Sequence, residues 1–161
     1  MRKKFGDDNT NERERDLACA KIILGDIGGR DSEMSELALC FYASVVCSKW
    51  EELSQMFRGV ASDELRHVER LSRLAFALGG DPRLCEYRGR RRIYWSPGAN
   101  RYRKKPRDLI SEAMMRKYIM LEKYSKQLKT LSHPAARETL AEIIADEQRH
   151  LQIFKQMIAK I

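Results

Sequence analysis

Apolar positions recur at helical spacing in several long stretches of the chain. Leu53, Phe57, Val60, Leu71, Leu74 and Leu78 mark one stripe, and Leu140, Ile143, Ile144, Leu151, Phe154 and Ile158 a second. Steps of three, four and seven residues are those of a helix with one buried face. Ile110, Met114, Leu121, Tyr124 and Leu128 make a third stripe, and Leu37, Cys40 and Ser44 share one face of a shorter segment. Asp31-Ser32 offers an N-cap, which predicts a first long helix over 32–48. After a short turn at 48–51, a second helix is expected over about 52–78, stopped by Gly79-Gly80-Asp81-Pro82. Pro106-Arg107-Asp108 opens a third over about 108–131. Ser132-His133-Pro134 turns into a fourth that runs to the end.

Short turns bring consecutive helices together antiparallel, whereas residues 81–107 read as one long irregular crossover. Two hairpins joined by a single long crossover are the connection of a ferritin-like four-helix bundle, so the expected class is all-α. The bundle is assigned to 28–161. Residues 1–27 form an N-terminal extension, polar over 1–11, with a short helix expected over 12–24 before the Gly25, Gly28 and Gly29 cluster. The two halves also repeat: Asp63-Glu64-Leu65-Arg66-His67 returns 83 residues later as Asp146-Glu147-Gln148-Arg149-His150.

That repeat carries the candidate chemistry. Glu64 and His67 fill the gap in the second-helix stripe between Val60 and Leu71. Glu147 and His150 fill the fourth-helix gap between Ile144 and Leu151. Three residues apart, each pair shares one helix face and points at the core. Buried carboxylates are costly unless paired, hydrogen-bonded or bound to metal, and a metal pair would offset them while the imidazoles complete its coordination. Such a site also needs a carboxylate from each remaining helix. On the first helix Glu33 and Glu36 both face the right way, Glu33 at about the depth of Glu64 and Glu36 one turn nearer the hairpin end. On the third helix the in-register residue is Lys117, which answers Glu33 at a distance of 84 residues. Glu112 and Glu122 lie off the stripe. Lys117 is therefore either a snorkelling side chain or an ammonium set among the carboxylates, where it could replace one metal or both.

Composition narrows the setting. The net charge is +8, but Glu86–Asp108 alone holds nine Arg or Lys against two acids, so the basic balance belongs to the crossover. Arg88, Arg90, Arg91, Arg92, Arg101, Arg103, Lys104, Lys105 and Arg107 are interleaved with Tyr87, Tyr94, Trp95 and Tyr102. Such a segment could bind a nucleic acid or another acidic partner. The alternative is that Tyr94 and Trp95 pack on the bundle and leave the charges in solvent. The most apolar run, 37–47, is too short to span a membrane, and the basic first residues are not followed by an apolar leader. Cys19, Cys40, Cys47 and Cys85 show no Cys-x-x-Cys pairing. A reducing cytoplasm is expected, with no attached rubredoxin-type iron centre.

These residues resemble a known group. The helix opening Ser32-Glu33-Met34-Ser35-Glu36-Leu37, the paired Asp-Glu-x-x-His segments, Leu78-Gly79-Gly80-Asp81-Pro82 and Tyr94-Trp95-Ser96 look like bacterial ferritin-like proteins of the rubrerythrin and manganese-catalase kind. The resemblance covers roughly residues 28–161. It implies two iron or manganese ions that react with dioxygen or peroxide, ligands at Glu33, Glu64, His67, Glu147 and His150, and a tendency to self-assemble. The expected third-helix glutamate falls at Lys117, a departure that bears on whether two, one or no ions bind, and Glu36 is an extra acid able to compensate. Two functions follow: a dimetal oxidoreductase or metal-handling protein, and a metal-free bundle that acts through its surface.

Overall fold

The computed structural model describes residues 16–161. Five helices, α1 (Leu17–Gly28), α2 (Glu33–Val46), α3 (Glu51–Ala77), α4 (Pro106–Thr130) and α5 (Pro134–Ile158), surround one core, and a two-stranded hairpin lies in the crossover. Ser32 caps α2 by accepting from the Ser35 amide, and Pro106 and Pro134 open α4 and α5. At the end of α3 the Gly79 amide bonds Phe76 O (3.0 Å) and the Gly80 amide bonds Ala75 O (2.8 Å). This Schellman closure needs the left-handed φ of +88° that Gly79 adopts.

The core falls into two apolar halves. Leu39, Cys40, Ala43, Leu53, Phe57, Val60, Ile110, Ala113 and Phe154 belong to one; Leu71, Ala75, Leu78, Met120, Tyr124, Leu140 and Ile143 belong to the other. By these contacts α3 and α4 run the same way and α5 runs back against them, so the crossover must travel the length of the bundle. Between the halves lies a layer of buried charge. The buried face of α4 is Ile110, Ala113, Lys117, Met120 and Tyr124, while Met114, Leu121 and Leu128 only flank it. Glu112, off the expected stripe, is nevertheless buried.

Two expectations need correction. Residues 81–107 are not wholly irregular: β1 (Cys85–Arg88) pairs antiparallel with β2 (Arg91–Tyr94) across a tight Gly89–Arg90 turn. Strand alternation was hidden there because charged residues occupy both faces of an exposed ribbon. The first helix also runs through Gly25 to Gly28 instead of ending near 24; residues 12–15 of that expectation lie outside the described chain. Its interior position explains why glycine did not stop it. Cys19, Ala20, Ile23, Leu24 and Ile27 are buried against α3, α4 and the hairpin, and that packing outweighs the weak helix propensity of glycine. Asp26, also fully buried, anchors α1 to α4 through Lys123 Nζ (2.7 Å) and Gln127 Nε2 (2.8 Å).

Gly28 and Gly25 make a matched test of this docking. A Cβ at Gly28 would collide with the backbone of Leu84 and Cys85, whereas one at Gly25 meets nothing closer than Glu86 Cβ at 3.9 Å. Gly28→Ala is expected to destabilise the fold by about 1–3 kcal/mol, and Gly25→Ala to stabilise it by roughly 0.5–1 kcal/mol. Urea midpoints of the two variants against wild type check both signs.

Candidate metal centre

Four helices each deliver polar side chains to the charged layer. Glu33 and Glu36 come from the first turn of α2, Glu64 and His67 from the middle of α3, Arg116 and Lys117 from α4, and Glu147 and His150 from α5. All are buried, and Glu33, Glu36, Glu64, Lys117, Glu147 and His150 have no solvent exposure. All six predicted metal ligands thus reach one layer, and Lys117 is an ammonium among carboxylates, not a snorkelling side chain.

The layer has two unequal sides. On one, ligand atoms of Glu33, Glu64, His67 and Glu147 lie within 4.8 Å of one another. His67 Nδ1 faces Glu33 Oε2 (3.2 Å), Glu147 Oε1 (3.4 Å) and Glu64 Oε2 (3.5 Å). On the other, Lys117 Nζ stands 2.6 Å from Glu147 Oε2, 2.7 Å from Glu64 Oε1 and 3.2 Å from Glu36 Oε2. His150 Nδ1 joins this side, 3.1 Å from Glu64 Oε1. Glu36 is further held by Arg116 Nε, so it is paired with two cations and lies outside the four-residue convergence.

Residues beyond the predicted set orient these groups. His67 Nε2 meets Asp146 Oδ2 at 3.1 Å and His150 Nε2 meets Asp63 Oδ2 at 2.9 Å. Each repeat's aspartate therefore holds the other repeat's histidine and turns its Nδ1 inward. The recurrence of Asp63 and Asp146 in the two motifs was the available signal. Tyr124, read only as a stripe residue, donates its hydroxyl to Glu33 Oε1. Arg116 had no signal, since it lies beside the in-register position and not on it.

Burial and charge set the protonation states. Burial raises Glu33 well above the ordinary carboxylate range, with Glu147 and Glu64 adding to the rise against the His67 hydrogen bond. Burial would raise Glu64 too, but Lys117 and both imidazoles outweigh it and hold this carboxyl well below that range. Burial disfavours the Lys117 cation, yet Glu147, Glu64 and Glu36 hold it charged. His67 is likewise pushed up to about 12, because its carboxylate hydrogen bonds override desolvation.

The donor set fits a metal on one side. Glu64 Oε2 and Glu147 Oε1 are buried oxygens that have only the shared His67 Nδ1 near them, at 3.5 and 3.4 Å, and both belong to the side where Glu33 and His67 converge; Glu36 Oε2 and Glu147 Oε2 instead face Lys117 Nζ at 3.2 and 2.6 Å. Carboxylate and imidazole donors suit iron, manganese and zinc. The chain also matches the rubrerythrin family over residues 34–158. It belongs to that family. A manganese catalase from Anabaena superposes on this rubrerythrin-family chain with a TM-score of 0.81 at 18% identity, covering 99% of this chain and 80% of that one. Mycobacterium tuberculosis bacterioferritin gives 0.73 at 19%, covering 89% and 86%. A dodecameric thioferritin from Bacteroides fragilis gives 0.62 at 14%, covering 92% and 89%. No curated protein sequence matches the chain. Fold, family and cluster make this a ferritin-like protein of the rubrerythrin family, with a buried Glu/His cluster that fits a metal site.

The basic crossover lies apart from the layer. All nine of its predicted cations are exposed. Arg88 pairs with Glu86, Arg92 donates to Tyr87 Oη, and Arg107 donates to Ile161 O. Trp95 packs inward and donates to Ser35 Oγ (3.0 Å). Tyr94, expected beside it, stays 58% exposed, because its hydroxyl takes hydrogen bonds from Arg83 and Arg92 at the surface. Among the described residues no helix is long and apolar enough to cross a membrane.

Two outcomes follow from this geometry. Asp146→Asn is expected to weaken metal binding about 10–100-fold by freeing the His67 ring, measured by competition with a fluorescent chelator. A metal taking His67 Nδ1 must also displace the proton that the raised pKa holds there. Affinity should therefore climb with pH, by about tenfold per unit for each proton released; titration calorimetry in buffers of different ionisation enthalpy counts those protons.

Proposed function

We propose that the protein is a metal-dependent oxidoreductase or metal-handling protein of the ferritin-like type, binding iron or manganese and using peroxide or dioxygen as its small oxidant. The observation that carries this reading is the convergence of ligand atoms from Glu33, Glu64, His67 and Glu147 within 4.8 Å of one another in a fully buried layer. Iron or manganese bound there supplies a redox couple. The chain's own residues do the rest. Asp146 and Asp63 fix both imidazole rings. Tyr124 holds Glu33 Oε1 and leaves its Oε2 to the cluster. Lys117 keeps Glu64 ionised at a depth where burial would neutralise it. Apolar layers on both sides keep bulk water from the carboxylates.

Four buried, unpaired cysteines support a reducing, cytoplasmic setting. Phe41 and Val45 on α2 and Tyr118 on α4 are more than half exposed. Such apolar surface supports a homo-oligomer. A second reading, a metal-free bundle acting through its surface and the crossover cations, draws support from Lys117, which already compensates several of the acids without any ion.

Metal content of untagged protein, purified without chelator and measured by plasma mass spectrometry, separates the two. Iron or manganese is expected, with peroxide consumption by the loaded protein. His67→Ala should lower metal affinity by more than the roughly 10–100-fold typical of second-sphere changes. No bound metal after anaerobic reconstitution would end this proposal in favour of the metal-free reading.

A further inference from the structure

We infer that the Lys117 ammonium takes the place of a second metal ion, so that the centre holds one ion, on its Glu33–His67 side. This rests on the reading of the cluster as a metal site and specifies how many ions it takes and where. The decisive feature is how Glu64 and Glu147 divide their oxygens. A carboxylate that bridges two cations gives one oxygen to each. Glu64 gives Oε1 and Glu147 gives Oε2 to Lys117 Nζ, at 2.7 and 2.6 Å. Their other oxygens, Glu64 Oε2 and Glu147 Oε1, point to the opposite side, where only the His67 ring approaches them, at 3.5 and 3.4 Å, and where they meet Glu33 and His67. Both glutamates are thus arranged as bridges, with an ammonium at one end and a ligand set at the other.

The Lys117 side is closed to an ion. Its three carboxylate oxygens already surround Nζ, Glu36 is bound by Arg116 as well, and a cation entering there would meet the ammonium at contact distance. Charge agrees in direction. The layer gathers four carboxylates, Glu33, Glu36, Glu64 and Glu147, and Lys117 and Arg116 already bring two cations to it, which leaves less positive charge for bound ions to supply than a layer of acids alone would.

The test is metal stoichiometry in the full chain after anaerobic loading with Mn(II), read by plasma mass spectrometry and by electron paramagnetic resonance. Wild type is expected to hold one Mn per chain with the spectrum of an isolated ion. Lys117→Glu, which restores a carboxylate, is expected to hold two with a spin-coupled spectrum. Lys117→Met, checked for folding by circular dichroism, removes the ammonium without adding a charge and should also gain a second ion at high Mn(II). Two ions in wild type, or one ion in all three proteins, would overturn the inference and leave the metal-site reading standing. An empty wild type beside a loaded Lys117→Glu would overturn it too, because the ammonium would then exclude both ions. No metal in any of the three would overturn the metal-site reading itself.

Discussion

Compensation of buried negative charge is the constraint on which this structure depends. Four glutamates meet in the middle of a helical bundle, where an isolated ionised carboxylate is strongly disfavoured. Each nearby feature answers that cost. Lys117 and Arg116 bring cations from α4, His67 and His150 bring imidazoles, Tyr124 brings a hydroxyl, and on one side Glu33, Glu64, His67 and Glu147 draw their ligand atoms within 4.8 Å of one another. Removing any one partner leaves a charge whose burial the others cannot make good, so the layer behaves as a unit.

The rest of the fold supplies the geometry this compensation needs. Because α3 and α5 run in opposite directions, the Asp-Glu-x-x-His segments face each other head to tail. Asp63 can reach His150 while Asp146 reaches His67. The long crossover makes that arrangement reachable by carrying the chain back along the bundle before α4 begins. Its hairpin packs on the last turns of α1, and Trp95 and Asn100 fasten it to Ser35, two residues from Glu33.

Much of this could be read from the residues. The bundle, the crossover and the inward aim of Glu64, His67, Glu147 and His150 followed from period and repeat, because a buried polar residue in register with an apolar stripe has few explanations. Lys117 was located by the same logic, as a cation where symmetry called for an acid. The division of carboxylate oxygens between its two neighbours was not legible, since rotamers are set by packing across four helices and not by spacing along one. Glu36 shows the limit clearly. Its helix face matched that of a ligand, but Arg116, a residue off the predicted stripe, claims one of its oxygens. The hairpin was missed for a related reason: an exposed ribbon of arginines carries no apolar alternation, and its pairing depends on Trp95 and Leu84 closing its base.

The separation of the core into two apolar halves also fixes the alignment of the helices. Apolar packing alone tolerates a shift of one helix along another by a turn, about 5.4 Å, since leucine, valine and phenylalanine substitute for each other at modest cost. A slip of that size here would part Lys117 from Glu64 and Glu147 and separate each aspartate from the histidine it holds on the facing helix. The charged layer therefore works as a key cut at one depth: whatever ion it holds, it admits a single alignment of α3, α4 and α5 and makes the neighbouring ones prohibitively costly.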